Sequence, residues 1–253
     1  MPTCFLEDYQ MMSKIVDELK WPKKPKFIFT SNSYYFDEVF KFMTAKQVES
    51  GTPYYVGQHG LFGIYNYNYP TVEMLTCDKY LRWGSETSIP QEVPAFILAQ
   101  ANKNIVQDKD GGLLFIQEDQ GHRIEMWDNT HRYFLCMNNN YLFYNSLDKK
   151  IAKSTFIRLH TARFYFRQYE SERWLDVDNN INITDDSHSY DYLLARNRIV
   201  VFSYNSSGFF TNLSQNIPSL LLIGDTSFIR DEVLPDYKPL IENGIVHLSS
   251  GSA

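Results

Sequence analysis

The sequence predicts an α/β fold in which parallel strands alternate with helices, and three observations support this prediction. Apolar runs at residues 26–30 and 54–56 flank a helical pattern at residues 37–48, and this order favours parallel pairing through a right-handed crossover. The same alternation recurs beyond residue 112. A chain of 253 residues can also bury about 70% of its unfolded surface, so it needs no disulfides to form a stable core.

The first half of the chain contains one strand, helix, strand unit behind a short amphipathic helix. That first helix is predicted at residues 9–19, and Pro22 follows it as a helix breaker. The strand at residues 26–30 leads into the helix at residues 37–48, which Gly51 ends. The next strand then opens into a loop that contains the most informative residues of this half.

The second half supplies further units of the same kind. Strands are predicted at residues 113–116, 155–159, 199–203 and 219–223, and helices at residues 139–153, 191–195, 209–215 and 231–242. Turn-rich composition at residues 85–94 and 108–112 places the domain boundary near Pro90, which gives domains at residues 1–90 and 91–253.

Charge and composition exclude several classes of protein. A net charge of −6 argues against a nucleic-acid partner, because phosphates require a basic face. The three cysteines lack disulfide or zinc-site spacing, which indicates a reducing compartment. The amino terminus lacks a signal pattern, and the longest apolar runs are too short to span a bilayer. We therefore expect a soluble cytoplasmic protein.

A lone histidine, His59, lies between glycines where the strand at residues 54–56 ends. Imidazole titrates near neutrality, and neighbouring glycines allow a substrate hydroxyl to approach, so His59 is a candidate general base. The alternative is a structural histidine in a tight turn. Ser31 and Asn32 follow the preceding strand, and open α/β sheets bind ligands at this edge.

A second candidate site lies where the strand at residues 199–203 gives way to a helix. Asn205, Ser206 and Ser207 precede that helix, where free N–H groups and the positive end of the helix dipole attract phosphate. The alternative is an ordinary serine N-cap. Arg158 ends another strand, and its guanidinium group matches the oxygens of a diphosphate. We interpret Arg163 and Arg167 as a solvated helix face.

No metal site or cofactor is expected. Asp176-Val177-Asp178 resembles the Asp-x-Asp of metal-dependent sugar transferases, but Ile181 and Ser187 replace the glycine and glutamate of a calcium loop. Asp185-Asp186 is a second acidic pattern. Dinucleotide, P-loop and serine-hydrolase motifs are missing from the sequence. The other histidines share no metal-ligand spacing, and we interpret them as surface or structural: His122, His131, His160, His188 and His247.

Four blocks of residues carry a resemblance to a known family. They are residues 36–60, residues 73–84, residues 157–159 with Arg173, and residues 203–218 trailing into residues 237–247. In order and spacing they resemble transferases of bacterial surface-carbohydrate (O-antigen type) biosynthesis, which have the two-Rossmann GT-B architecture. The loop around His59 is also similar to the His-Gly segment of CDP-glycerol glycerophosphotransferases, in which the histidine is proposed as the base.

This resemblance implies Rossmann-like parallel sheets with helices on both faces, an acceptor-side domain at residues 1–90 and a donor-binding domain at residues 91–253. It also implies roles for individual residues. His59 would be the base; the donor would be held by Arg158, Asn205, Ser206, Ser207 and Thr211, and further substrate contacts would come from Ser31, Asn32, Gln58, Gly60, Glu73 and Arg173.

Three features depart from the family pattern. Leu61 replaces a glycine, and Thr211 replaces an acidic residue that in GT-B enzymes often holds the donor ribose. Family members are also longer, which implies that most of the amino-terminal Rossmann domain and the closing carboxyl-terminal helices are missing here. A partner chain would then supply the missing half.

We expect a metal-independent glycosyltransferase that takes a sugar from a nucleotide-sugar donor. The acceptor would be a surface glycan or lipid-linked glycan, reached by peripheral association with the cytoplasmic face of the inner membrane. Two alternatives stay open: a non-catalytic GT-B module that binds a nucleotide or a partner, and a polyol-phosphate transferase that uses a CDP-linked donor.

Overall fold

The computed structural model describes residues 3–61, 71–84, 89–97, 104–118, 130–160, 169–184, 188–224, 226–227 and 229–252. The chain divides into two compact units, Met1–Leu98 and Ala99–Ala253. Every strand pair within the described residues is parallel. The predicted α/β fold with Rossmann-like parallel sheets is therefore confirmed.

The first unit contains a four-stranded sheet with strand order β1-β2-β3-β4. Its strands are β1 (Ile28–Thr30), β2 (Tyr54–Gly57), β3 (Lys79–Trp83) and β4 (Glu92–Ala95). Its helices are α1 (Tyr9–Glu18), α2 (Ser33–Phe36), α3 (Glu38–Glu49) and α4 (Val72–Thr76), and a 3-10 turn at Thr3–Phe5 precedes them.

Strands β3 and β4 were not predicted from the sequence, because charged residues interrupt their apolar pattern. Arg82 of β3 lies 3.4 Å from the carboxylate of Glu92 in β4, whose side chain is fully buried. Pro94 lacks the N–H that pairing on both sides would need, and it lies in β4 at the end of the strand order. The sequence placed the domain boundary near Pro90, whereas β4 pairs within the first sheet and the two units divide after Leu98.

The second unit contains a six-stranded sheet with order β10-β9-β8-β5-β6-β7. The strands are β5 (Gly112–Ile116), β6 (Thr155–Arg158), β7 (Asn182–Ile183), β8 (Asn197–Phe202), β9 (Ser219–Leu222) and β10 (Val246–His247). The helices are α5 (Thr130–Ser146), α6 (Lys149–Lys153), α7 (Glu170–Val177), α8 (Tyr190–Arg196), α9 (Ser207–Ser214) and α10 (Leu234–Glu242), followed by a 3-10 turn at Ser250–Ser252.

This strand order is that of the Rossmann fold, with β5 in the place of its first strand. Strands β5, β6 and β7 follow one another in one direction, and β8, β9 and β10 in the other. Right-handed crossovers in opposite directions put helices on opposite faces. Both faces of β5 are accordingly buried, because Phe115 packs against Trp174 of α7 while the next side chain along the strand, Leu114, is also fully buried.

Most strands and helices predicted for this unit are present, with shifts of a few residues at their ends. The single helix predicted at residues 139–153 is wrong, because α5 ends at Ser146 and α6 starts separately. Asp148 has an extended backbone and caps α6 by accepting the N–H of Lys150 at 2.8 Å. The strands β7 and β10 and the helix α7 were not predicted. Residues Arg163, Arg167, Asp185, Asp186 and His122 lie outside the described residues.

Among the described residues, no helix has both the length and the apolar character that a membrane span requires.

Candidate functional site

His59 lies in the loop after the carboxyl end of β2, and the side chain of Gln58 stabilises this loop through two hydrogen bonds. Nε2 of Gln58 donates to the carbonyl oxygen of Gly60 at 2.7 Å, and Oε1 accepts the N–H of Trp83 at 2.8 Å. The N–H of Gln58 also donates to the carbonyl oxygen of Leu81 at 2.8 Å. These bonds hold the loop to the end of β3, while His59 is exposed. An accessible imidazole on a fixed backbone suits proton transfer with a substrate hydroxyl.

Ser31 and Asn32 leave the sheet at the same edge as His59. The parallel register pairs Thr30 with Val56, so the segments after β1 and β2 emerge side by side. The hydroxyl of Thr30 accepts the N–H of Ser33 at 3.0 Å and that of Asn32 at 3.3 Å, which fixes the turn into α2. Asn32 is exposed and Ser31 is half-buried, so both can contribute to a site at this edge.

Glu73 is a buried carboxylate enclosed by tyrosines. It lies in the first turn of α4, and only 5% of it is exposed. Burial and then the charge of this carboxylate raise the pKa of the Tyr34 hydroxyl in α2. Burial and the same charge raise the pKa of Tyr80 in β3. Tyr34 and Tyr80 therefore remain protonated beside the Glu73 carboxylate.

In the second unit, the ends of β5 and β8 meet at the point where the strand order reverses. The N–H of Ser203 donates to the carbonyl oxygen of Ile116 at 3.0 Å, and the Ser203 hydroxyl accepts the N–H of Glu118 at 3.0 Å. The amide oxygen of buried Gln117 accepts from Asn140 of α5 at 2.9 Å. Rossmann-like folds bind nucleotides in the crevice at this point.

The start of α9 lies directly after β8 and offers two free N–H groups. The Ser206 hydroxyl caps the helix by accepting the N–H of Phe209 at 3.4 Å. Within the described part of the chain, the N–H groups of Ser207 and Gly208 have no hydrogen-bond acceptor. A Cβ at Gly208 would lie 3.1 Å from Phe202, so the glycine lets the helix start approach β8 closely. Free N–H groups at a helix start form an anion site.

Three of the predicted donor-site residues, Asn205, Ser206 and Thr211, are buried within the protein. Asn205 donates a hydrogen bond from its amide to the hydroxyl of Tyr237 in α10, and the exposed fraction of Asn205 is 6%. Thr211 lies in the second turn of α9 and is also buried. The side chain of Asn205 thus holds α10 against the turn before α9, whereas Ser207 and Arg158 are half-buried.

Arg158 ends β6, and β5 separates β6 from β8 in the sheet. The backbone carbonyl of Arg158 accepts the N–H of Gln117 at 2.9 Å, which fixes its place beside the end of β5. Its guanidinium carbon lies 4.9 Å from the centre of the Tyr190 ring. Arg158 is half-buried and can present N–H donors to an anion.

Arg173 lies in α7, is exposed, and has its guanidinium carbon 5.8 Å from the Phe134 ring. Asp178, which follows α7, is held by protein groups: it accepts the Tyr144 hydroxyl at 2.8 Å and the N–H of Asn180 at 2.9 Å. Across the residues that the structure describes, no three His, Cys, Asp or Glu side chains form a cluster that could hold a metal ion. His247 is buried, with its ring nitrogens close to Gly244 and Ser252.

Sequence reasoning missed Gln117, Glu118 and Tyr190. No local motif marks these residues. Gln117 and Glu118 become candidates only because β5 is the central strand of the order, and Tyr190 because its ring lies against Arg158. The signal that could have found the first two is the fully buried apolar run that precedes them, which is typical of a central parallel strand.

The two parallel sheets with their flanking helices define a Rossmann-like α/β protein, consistent with a GT-B type of fold. More particularly, the chain belongs to the LIC12162 family of transferases, since the family model described as "LIC12162 family transferase" matches residues 1–253. The transferase class expected from the sequence is thereby confirmed. No curated protein matches the chain.

Proposed function

We propose that the protein transfers a glycosyl group from a nucleotide-sugar to a hydroxyl group of a glycan. One observation carries this proposal: the N–H groups of Ser207 and Gly208 are free at a helix start beside the point where a Rossmann strand order reverses. A nucleoside diphosphate suits this position, because its phosphates accept hydrogen bonds from the helix start. Arg158 would add a guanidinium group to the same diphosphate.

The proposed reaction proceeds by direct displacement. His59 accepts the proton of the acceptor hydroxyl group while the oxygen of that hydroxyl forms a bond to the anomeric carbon of the sugar. The bond between that carbon and the diphosphate oxygen breaks, and the nucleoside diphosphate leaves. Arg158 and the start of α9 stabilise the negative charge that develops on the leaving group. On this proposal the charge is neutralised by protein groups, so the transfer is metal-independent.

The acceptor and the location follow the resemblance to O-antigen type transferases. We propose a surface glycan or lipid-linked glycan as the acceptor, at the cytoplasmic face of the inner membrane. The four exposed lysines Lys20, Lys23, Lys24 and Lys26 lie in the connection between α1 and β1, and they would favour peripheral contact with anionic lipid.

Two other functions have one supporting observation each. The similarity of His59-Gly60 to CDP-glycerol glycerophosphotransferases favours transfer of a polyol phosphate from a CDP-linked donor. Buried Thr211, in place of a carboxylate that would hold the ribose, favours a module that binds a nucleotide without turnover. Polyol-phosphate transfer differs from glycosyl transfer in the donor that is consumed, and the module without turnover consumes no donor.

A thermal-shift panel tests the donor site. It would contain nucleoside diphosphates, UDP-, GDP- and CDP-linked sugars, and CDP-glycerol. A ligand at about 100 times its Kd adds roughly 2.7 kcal/mol of stability, which raises the Tm of a chain of this size by about 5–10 °C. We expect a nucleoside diphosphate and its sugar derivative to raise the Tm, and Arg158→Gln to remove most of the shift.

Each result of the panel has a definite meaning when turnover is measured beside it. A chain that no nucleotide stabilises contradicts the donor-site proposal. Consumption of CDP-glycerol with release of CMP supports polyol-phosphate transfer instead. Stabilisation by a nucleoside diphosphate, without consumption of any sugar donor when a glycan acceptor is added, supports the non-catalytic module.

A further inference from the structure

We infer that Tyr190 is a positioning residue that holds the guanidinium group of Arg158 for donor binding. This inference rests on the proposed function, in which Arg158 binds the donor diphosphate. The guanidinium carbon of Arg158 lies 4.9 Å from the centre of the Tyr190 ring, which is within the range of an attractive cation–π contact.

Tyr190 also contacts the helix that begins the proposed phosphate site. Its hydroxyl donates to Oδ1 of Asn212 in α9 at 3.1 Å. Nδ2 of Asn212 donates in turn to the Ser219 hydroxyl at 3.0 Å, and that hydroxyl donates to the carbonyl oxygen of Ile217 at 3.0 Å. Asn212 is fully buried. The Tyr190 ring is therefore fixed at its hydroxyl end by a chain of bonds that runs through α9 to the start of β9.

The hydroxyl end of this ring stays protonated. Burial raises the pKa of Tyr190, although its bond to Asn212 and the nearby charge of Arg158 act in the opposite direction. A protonated hydroxyl continues to donate to Asn212, so the ring keeps its orientation at neutral pH.

The direction of the Arg158 guanidinium group matters because Arg158 and the start of α9 follow different strands. Arg158 ends β6, whereas α9 follows β8, and two strand spacings of about 5 Å separate β6 from β8. A long arginine side chain has many rotamers, and most would not direct its N–H groups toward a ligand at the start of α9. Tyr190 touches Arg158 with its ring face and is bonded at its hydroxyl to Asn212 in the second half of α9, so it limits the directions that the guanidinium group can take.

The same helix provides a matched control. Tyr192 lies two residues further along α8, and the guanidinium carbon of Arg196 is 5.5 Å from its ring centre. The Tyr192 hydroxyl accepts a hydrogen bond from Arg196 at 2.7 Å, but Tyr192 is 41% exposed and the pair lies within one helix. Substitution of Tyr192 removes an arginine–tyrosine contact from α8 without touching Arg158 or α9.

Calorimetric titration of each variant with nucleoside diphosphates, together with kcat and KM for the donor, tests the inference. Tyr190→Met removes the ring face while keeping a bulky apolar side chain, and Tyr190→Phe keeps the ring. We expect Tyr190→Met to raise Kd and donor KM about tenfold, Tyr190→Phe, which keeps the ring face but loses the bond to Asn212, to raise both about threefold, and Tyr192→Met to have no effect. Tyr190→Leu replaces Tyr190→Met if that variant does not fold, as judged from Tm.

The double variant Arg158→Gln/Tyr190→Met separates positioning from general damage to the fold. If Tyr190 acts through Arg158, Tyr190→Met raises Kd by less than about twofold once Arg158 has been replaced. The inference is overturned if Tyr190→Met weakens nucleoside diphosphate binding equally in the wild type and in the Arg158→Gln variant. It is also overturned if Tyr190→Met has a normal Kd while Arg158→Gln binds nucleoside diphosphates weakly. If Arg158→Gln itself binds nucleoside diphosphates normally, the proposed role of Arg158 is wrong, and the inference about Tyr190 falls with it.

Discussion

The side-chain oxygen of Gln58 accepts the backbone N–H of Trp83 at 2.8 Å, so the residue before His59 is bonded directly to the last residue of β3. The amide nitrogen of the same side chain donates to the carbonyl oxygen of Gly60 at 2.7 Å. One side chain thus fixes the backbone on both sides of His59. Gln58 uses both of its polar atoms within the protein, which makes it a positioning residue for the proposed base.

Replacement of Gln58 by alanine is expected to loosen this loop. Gln58→Ala leaves the N–H of Trp83 and the carbonyl of Gly60 without their partners, and we expect the free energy of unfolding to fall by about 1–2 kcal/mol. We also expect kcat to fall about tenfold with donor KM unchanged, since a misplaced base affects the chemical step. Denaturant titration and steady-state kinetics measure the two effects.

Gln58→Glu is the matched control for that change. Its carboxylate can still accept the N–H of Trp83 but cannot donate to Gly60. The free energy of unfolding and kcat of Gln58→Glu should therefore lie between the values of the wild type and those of Gln58→Ala. A Gln58→Ala protein with unaltered kcat would show that the loop does not need this side chain for catalysis.

The fold could be predicted from the sequence where strands are buried on both faces. The run at residues 113–116 consists of apolar residues because β5 is central, and such a run needs no tertiary information to be recognised. β3 and β4 escaped prediction because Arg82 and Glu92 lie within them and form an ion pair between the strands. Such an ion pair interrupts the apolar periodicity of the sequence.

Some residues of the candidate site could likewise be predicted from the sequence, and others could not. His59 and the serines before α9 stand out locally, because glycines or small hydroxyl residues follow an apolar run in each case. Tyr190 has no such signal, since its importance comes from a ring contact with Arg158, more than 30 residues earlier in the chain. Contacts of this kind depend on the order of the strands, which local patterns do not contain.

Gly112 at the start of β5 is expected to tolerate no side chain. A Cβ at this position would lie 1.8 Å from the carbonyl oxygen of Ser154, a backbone atom that cannot move independently of the turn before β6. We expect Gly112→Ala to lower the free energy of unfolding by about 3 kcal/mol or to prevent folding. At Gly224 the nearest atom to a Cβ is 3.7 Å away, so Gly224→Ala is the matched control and should change stability by less than about 0.5 kcal/mol. Chemical denaturation compares the two, and equal stability would contradict the close packing of β5 against this turn.

Asp178 should make the stability of the second unit depend on acidic pH. The N–H of Asn180 and then the hydroxyl of Tyr144 hold the pKa of this carboxyl below its usual value. Burial and Asp178 itself raise the pKa of Tyr144 to about 12, so the hydroxyl remains a donor. Because the folded pKa is depressed, the carboxylate contributes its full stability above the unfolded pKa of about 3.9 and loses it as the pH falls through the folded value.

The test compares unfolding of the wild type and Asp178→Asn between pH 7 and pH 2.5. We expect the wild type to be the more stable at pH 7, and the difference to shrink progressively below about pH 4. Tyr144→Phe removes one of the two donors and should shrink the difference only in part. A constant difference across this range would show that the Asp178 carboxyl has no depressed pKa.

Replacement of His59 distinguishes its catalytic role from a structural one. Its side chain is exposed, and no described residue forms a hydrogen bond with it, so His59→Ala should change Tm by no more than about 1 °C. A general base contributes about 10²- to 10⁴-fold, so kcat should fall by that factor while the Kd of nucleoside diphosphates stays unchanged. His188→Ala provides the matched control, because His188 is an exposed histidine in the second unit whose ring stacks on Tyr192. A structural histidine would give the opposite pattern, with a lower Tm and near-normal kcat in the folded fraction. Full activity together with an unchanged Tm would assign the base to another residue.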